Sequence, residues 1–369
     1  MSFYMPVRVR TGAGCLKDGA KDLRALGTRC LIVSGRSAAQ RSGALSDLVA
    51  TLSEAGIAHA HFDGIEQNPS YASCLAAARA AKDLGAEFIV GVGGGSPLDA
   101  AKAVALLATA EDTSAEALFA GNWSNTPLPI VAVGTTAGTG SEVTPVAVIT
   151  TPEGRKIGIR GPSLYPTLAF GDATYTMSLS PAFTRSTALD ALAHCLESYF
   201  NRTANDISRL YATRGIALLA PLLARCAECE SRPLTLAERE GLYLASLYGG
   251  LAISVTGTAF PHALGYFLSE QYGVPHGNAC AVYLPEFIAY NLKVAPEEAA
   301  ALFRAVGVDA LGLTELIKGN LPPIGVRLTH TEIEALGPRY ENNKSLKKCL
   351  GTVDRAAAEA ILARLFSAT

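Results

Sequence analysis

The sequence predicts an α/β domain followed by an all-α domain, on three observations. Up to about residue 180, short apolar β-rich runs alternate with helical stretches, the pattern of a parallel sheet with crossover helices. After "LSPAFTRS" the strand signals stop and apolar residues recur at helical spacing. The chain has 369 residues, more than one ordinary domain and enough for two cores. The expected division is residues 1–179 and residues 180–369.

In the first half the strand-like runs are "RCLIVSG", "HAHFDGI", "AEFIVGVG", "PIVAVGTT" and "LAFGDA", separated by helical stretches such as "CLKDGAKDLRALG" and "ASCLAAARAAKDLG". In the second half the helical runs are "TALDALAHCLESYF", "TRGIALLAPLLARC", "GLYLASLYGGLAI" and "DRAAAEAILARLF".

A net charge of -2 with 17% charged residues offers no basic face for nucleic acid. The N-terminus lacks an apolar signal core, and no apolar run approaches the roughly 20 residues that span a bilayer, so a cytoplasmic protein without membrane association is expected. The eight cysteines are scattered and are expected as free thiols. Cys226 and Cys229 form a C-x-x-C, but "LLARCAECES" reads as a helix end. The expected partner is a small molecule.

Two constellations carry chemistry. In "GVGGGSPLDAAKAVAL" a glycine bend joins a buried strand to a helix, with Ser96, Pro97 and Asp99 read as N-cap, first helical position and third-position acceptor. Amides and the positive helix end over Gly93, Gly94 and Gly95 suit a pyrophosphate. In the helical half, Asp190 and His194 of "LDALAHCLE" lie four apart and share one helix face. His262 in "FPHALGY" and His276 in "VPHGNA" are separated by a helical segment and a turn able to return both imidazoles to one point. Three imidazoles and a carboxylate suit Fe(II) or Zn(II) better than Mg(II) or Ca(II). Cys195 points about 100° away from His194 and reads as packing. His59, His61 and His330 are assigned nothing.

The stretches "GGGSPLDAAKAVAL", "VGTTAGTGSEVTPVAVIT", "LDALAHCLESY" and "HALGYFLSEQYGVPHGNACAVYLPEFIAYN" resemble the successive motifs of the iron-containing, or group III, alcohol dehydrogenases, in order and over nearly the whole chain. The resemblance implies a dehydroquinate-synthase-like fold, with an N-terminal dinucleotide domain, a C-terminal helical domain and an active site in the cleft between them. It implies metal ligation by Asp190, His194, His262 and His276. Cofactor contacts carry over to Asn68, Gly93, Gly94, Gly95, Ser96, Asp99, Thr135, Thr136, Thr139 and Lys156. The implied reaction is hydride transfer between NAD(H) or NADP(H) and a short alcohol or aldehyde, in a homodimer.

Two departures from the family pattern matter. Many members carry a second histidine near the nicotinamide, four residues after the third ligand; here that catalytic position is Tyr266. Many end the first strand of the dinucleotide domain with an acid for the adenosine ribose; here Gly35 and then Arg36 stand there, which permits a 2′-phosphate. Tyr266, "PHALGY" and "PHGNACAV" resemble the branch that reduces short anionic aldehydes such as phosphonoacetaldehyde and sulfoacetaldehyde. Head-group candidates are Arg160, Arg185, Ser254, Thr256 and Thr258. The alternative is the carbon-oxygen lyase of the same fold, 3-dehydroquinate synthase, which uses NAD and a metal and needs a crowd of Lys and Arg for its acidic substrate.

Overall fold

A computed structural model describes residues 3–367. Its Cα positions cluster into two compact units: the chain up to Leu179 together with Thr235–Tyr243, and Ser180–Leu234 together with residues from Leu244 onward.

The first unit is built on strands β1 (Arg8–Thr11), β2 (Arg29–Ser34), β3 (Ala58–Phe62), β4 (Phe88–Gly93), β5 (Ile130–Gly134) and β8 (Leu168–Gly171), with β6 (Val146–Thr150) and β7 (Lys156–Arg160) forming an antiparallel pair beside them in sequence. Its helices are α1 (Ala20–Arg24), α2 (Ala38–Arg41), α3 (Ala44–Glu54), α4 (Tyr71–Leu84), α5 (Gly95–Leu107) and α6 (Ala115–Ala120). The main sheet is parallel throughout, in the order β1-β8-β5-β4-β2-β3. Successive side chains of a strand face opposite ways. Thus Cys30 and Ile32 join Leu23, Leu48 and Leu52 in one core, while Leu31 and Val33 join Ala77, Ala81 and Val104 in the other. Both sheet faces are covered, which is why the central strands read as continuous apolar runs.

The connection from β2 runs outward to β3, and the one from β4 runs the other way to β5. Neighbouring strands whose crossovers diverge mark a topological switch point, and ligands of such sheets bind at the carboxyl ends of those strands. Ser34–Gly35 and Gly93–Gly94 are those ends, held side by side by the pairing of Ser34 with Val92.

The second unit is helical: α7 (Pro181–Tyr199), α8 (Asp206–Ala227), the C-terminal part of α9 (Leu236–Thr256), α10 (Phe260–Gln271), α11 (His276–Ala281), α12 (Leu284–Val294), α13 (Pro296–Val306), α14 (Ala310–Asn320), α15 (His330–Leu336) and α16 (Arg355–Phe366). The first residues of α9 belong to the α/β unit, where the Tyr243 hydroxyl donates to Glu142 at 2.6 Å. One described helix, α8, is long and apolar enough by length and composition to cross a membrane. Asp206, Arg209, Arg214 and Arg225 interrupt it, and one face is buried through Ile216, Leu219 and Leu223.

Candidate active site

α7 starts where Ser180 caps the Phe183 amide and Pro181 takes the first helical position. From Ala188 to Tyr199 every residue is buried, so Asp190 and His194, one turn apart, both lie inside the bundle. α10 brings His262 inward at 3% exposure, and a turn closed by the Val274 amide on the Leu268 carbonyl leads to His276 at the head of α11. A side chain at Gly277 would collide with the Ser186 carbonyl, so the His-Gly pair lets α11 press against α7.

The four residues named from the sequence come together around one carboxylate oxygen. Asp190 Oδ1 lies 3.7 Å from His262 Nε2, 3.7 Å from His276 Nε2 and 3.9 Å from His194 Nε2. The His194 and His262 rings are stacked with centroids 4.7 Å apart. Asp190 Oδ1 and His262 Nε2 are buried without a hydrogen-bond partner. Orphaned polar atoms this deep are costly unless something satisfies them, and a divalent cation among them would. The donor set therefore fits the implied metal.

Two residues were missed in the sequence. The Glu197 carboxylate accepts from His262 Nδ1 and from the Ala259 amide. It fixes the His262 tautomer and aims Nε2 at Asp190. Cys280 lies four residues after His276 and shares its face; its Sγ is 3.9 Å from each ring nitrogen of His276. The donor atoms of Asp190, His262, His276 and Cys280 all lie within 4.8 Å of one another. The i, i+4 spacing was the available signal for Cys280. Glu197, between Leu196 and Ser198 in "CLESY", carried no such local signal.

Burial pushes the Asp190 carboxyl upward, but His194, His276 and His262 together bring it below its ordinary value. Burial pushes His262 down, and Cys280 and Glu197 outweigh it, leaving the imidazole well above its usual range. The Cys280 thiol is raised to about 11, by burial first, with His262 opposing. Tyr266 lies nearly parallel to His276, centroids 6.1 Å apart. Cys195 is fully buried and packs where Gly215 and Gly249 leave room.

In the α/β unit the glycine bend is confirmed as a strand-to-helix turn, but its local reading changes. The N-cap of α5 is Gly94, with no side-chain cap, and Ser96 instead accepts the Asn68 amide at 3.2 Å. Asp99 is no capping residue: its oxygens accept from the Ser141 hydroxyl at 2.6 Å and the Val148 amide at 2.8 Å. The first-turn amides of α5 are thereby left open to an anion. The glycines are required by a second loop. A Cβ at Gly94 would sit 2.9 Å from Thr136, and one at Gly95 2.7 Å from Thr139. Thr135, whose amide bonds the Gly93 carbonyl at 2.9 Å, anchors that loop. Lys156, on β7, is paired with Thr150, whose hydroxyl donates to the Asn68 carbonyl. Gly35 and the exposed Arg36 follow β2 at the switch point.

Lys102 was quoted in the motif without a role. It is fully buried, its Nζ donating to Ser141 Oγ at 2.7 Å, Thr144 Oγ1 at 3.2 Å and the Val146 carbonyl at 2.7 Å. Of the head-group candidates, Arg185 is tied to Glu230 at 2.7 Å, Ser254 donates to the Leu251 carbonyl, and Thr256 is bonded to Ser198.

Comparison with known proteins agrees with this geometry. Residues 6–173 match the model of the iron-containing alcohol dehydrogenases, and residues 184–322 that of the C-terminal region of the Fe-containing alcohol dehydrogenase family. A 1,3-propanediol dehydrogenase of Klebsiella pneumoniae is 33% identical over 308 residues, covering 81% of this chain and 79% of its own. An iron-containing alcohol dehydrogenase of Thermotoga maritima superposes with a TM-score of 0.90 at 34% identity, over 99% of each chain. A sulfoacetaldehyde reductase of Bifidobacterium kashiwanohense, solved in complex with NAD+, gives 0.88 at 25% identity, over 100% of this chain and 99% of that one. The chain belongs to the iron-containing alcohol dehydrogenase family, whose members are oxidoreductases acting on CH-OH groups.

Proposed function

We propose that this family member is an NAD(P)-linked, metal-dependent alcohol dehydrogenase or aldehyde reductase in which Asp190, His194, His262 and His276 hold a divalent cation, Fe(II) or Zn(II). The observation that carries this reading is Asp190 Oδ1, buried, without a hydrogen-bond partner and within 3.9 Å of three imidazole nitrogens. The cation supplies Lewis acidity toward the substrate oxygen and the nicotinamide carries the hydride. Glu197 orients His262; Asp190, His194 and His262 are buried, and His276 is the partly exposed member of the set.

On this reading residues 1–179, joined by 235–243, form the dinucleotide domain and the remainder of 180–369 the metal domain. The open amides of α5 receive the pyrophosphate, with Gly93, Gly94, Gly95, Ser96, Thr135, Thr136 and Thr139 around it and Asn68 and Lys156 beside it. Asp99 acts from within, by holding the Ser141 loop. Gly35 and Arg36 allow NADP(H) as well as NAD(H). Tyr266 takes the place beside the third ligand. A cytoplasmic homodimer is part of the same reading, supported by eight buried free thiols and by the edge position of β1.

For the substrate, a short aldehyde with an anionic head is favoured by one observation, the likeness to the sulfoacetaldehyde reductase. Arg160 and Arg185 are the guanidinium groups to test for the head group. The deciding experiment follows absorbance at 340 nm with the metal-loaded enzyme, NADH or NADPH, and propanal, 3-hydroxypropanal and sulfoacetaldehyde. Steady loss of signal supports a reductase, and a kcat/KM at least about tenfold higher for sulfoacetaldehyde supports the anionic head. No turnover with any aldehyde or alcohol in either direction sinks the functional reading.

A further inference from the structure

Ser34, the last residue of β2, is fully buried and donates its hydroxyl to the Gly35 carbonyl at 3.0 Å. The same Oγ lies 2.7 Å from Nε2 of His61 on the neighbouring strand β3. A hydroxyl whose proton is given to a carbonyl can only accept from the ring, so Nε2 carries the hydrogen. In the neutral ring the lone pair is then fixed on Nδ1, which has no hydrogen-bond partner among the described residues. His61 pairs in register with Ile32, so its bond to Ser34 leans the exposed ring toward the carboxyl end of β2. Gly35 and Arg36 follow there, at the switch point where the adenosine ribose of a dinucleotide is read.

We propose that His61 is a cofactor-specificity residue, accepting the ribose 2′-hydroxyl of NADH when neutral and donating to the 2′-phosphate of NADPH, alongside Arg36, when protonated. The proposal rests on the dinucleotide reading given above. The titration has a defined direction. Partial burial against Ser34 holds the ring below its ordinary value; Asp63 opposes that, while His59 on the same strand reinforces it. Arg36 adds a further positive charge beyond Gly35. The neutral, NADH-accepting form therefore prevails at pH 7, and acid shifts preference toward NADPH. A phosphomonoester itself takes up a proton near pH 6. That effect is common to every variant of the protein.

The test is direct binding by nucleotide fluorescence, on the full-length protein, of NADPH and NADH at about pH 8 and about pH 6. His61→Gln keeps a side-chain donor toward Ser34 but cannot titrate. The ratio of NADH Kd to NADPH Kd should rise on acidification by about fivefold more in the wild type than in His61→Gln. Equal movement of the ratio in both proteins, within about twofold, overturns the role of His61 while leaving the dinucleotide reading intact. Failure of the wild type to bind either nucleotide overturns both.

Discussion

His262 donates Nδ1-H to the Glu197 carboxylate, and the other oxygen of that carboxylate accepts the Ala259 amide at 2.5 Å. One buried acid thus fixes the tautomer of His262 on α10 and also ties down the backbone that leads into α10. The arrangement makes the position of His262 depend on a residue of α7, the helix that carries Asp190 and His194.

Glu197→Ala should therefore weaken metal binding by about 10–100-fold, although no ligand is removed. Glu197→Gln, which can still accept from Nδ1, should lose less. Competition titration with a chromogenic chelator measures both. Equal metal affinity in the wild type and Glu197→Ala would show that the carboxylate serves the fold alone.

His276→Ala should lose metal and turnover together while the protein stays folded, because the remaining ligands leave a poorer geometry. A bound metal also stabilises the folded state by mass action. Chelation should lower the melting temperature of the wild type and leave that of His276→Ala unmoved. A variant with normal metal content would remove His276 from the ligand set.

The central strands were legible because burial on both faces makes them continuous apolar runs, as in "RCLIVS" and "FIVGVG". β1 ("RVRT"), an edge strand with arginines, and the β6–β7 pair gave no such signal. Local capping rules misplaced Ser96 and Asp99 because tertiary partners outcompete them: the Asn68 amide takes Ser96, and Ser141 and Val148 take Asp99. The helical-half spacing led to Asp190 and His194 directly. Glu197 stayed hidden, since a glutamate on a helix ordinarily faces water and only the bundle buries it. The assignment of residues 235–243 to the α/β unit depends on pairings such as Tyr243 with Glu142, which are separated by a hundred residues and have no local signature.

Gly94→Val should raise the Kd for nucleotide by about tenfold or more. The reason is now double. The side chain would meet Thr136 at 2.9 Å, displacing the threonine loop, and would crowd the open amides of α5. Metal content should not change. Calorimetric titration with NADH on a folded variant decides it, and unaltered affinity would reduce the bend to a connection between strand and helix.

Lys102→Met should destabilise the protein by about 3–5 kcal/mol, since it leaves the Asp99 carboxylate beside an apolar chain and strips Ser141, Thr144 and the Val146 carbonyl of their donor. The pH dependence is the sharper test. Burial pushes the Lys102 ammonium down to about 8, against the pull of Asp99 and Glu142, whereas in the unfolded chain it titrates near 10.5. Between those values the unfolded chain holds more protons than the folded one, so the stability contributed by Lys102 rises with pH across that window. Buried thiols raised to about 11 or 12, such as Cys280 and Cys195, act with the opposite sign, but they are common to both proteins. The difference in unfolding free energy between wild type and Lys102→Met, measured by urea denaturation at several pH values, should widen from pH 8 toward pH 10. A gap that stays constant or narrows over that range would mean that the ammonium is not held in the low-dielectric cage that Ser141, Thr144 and Val146 form around it.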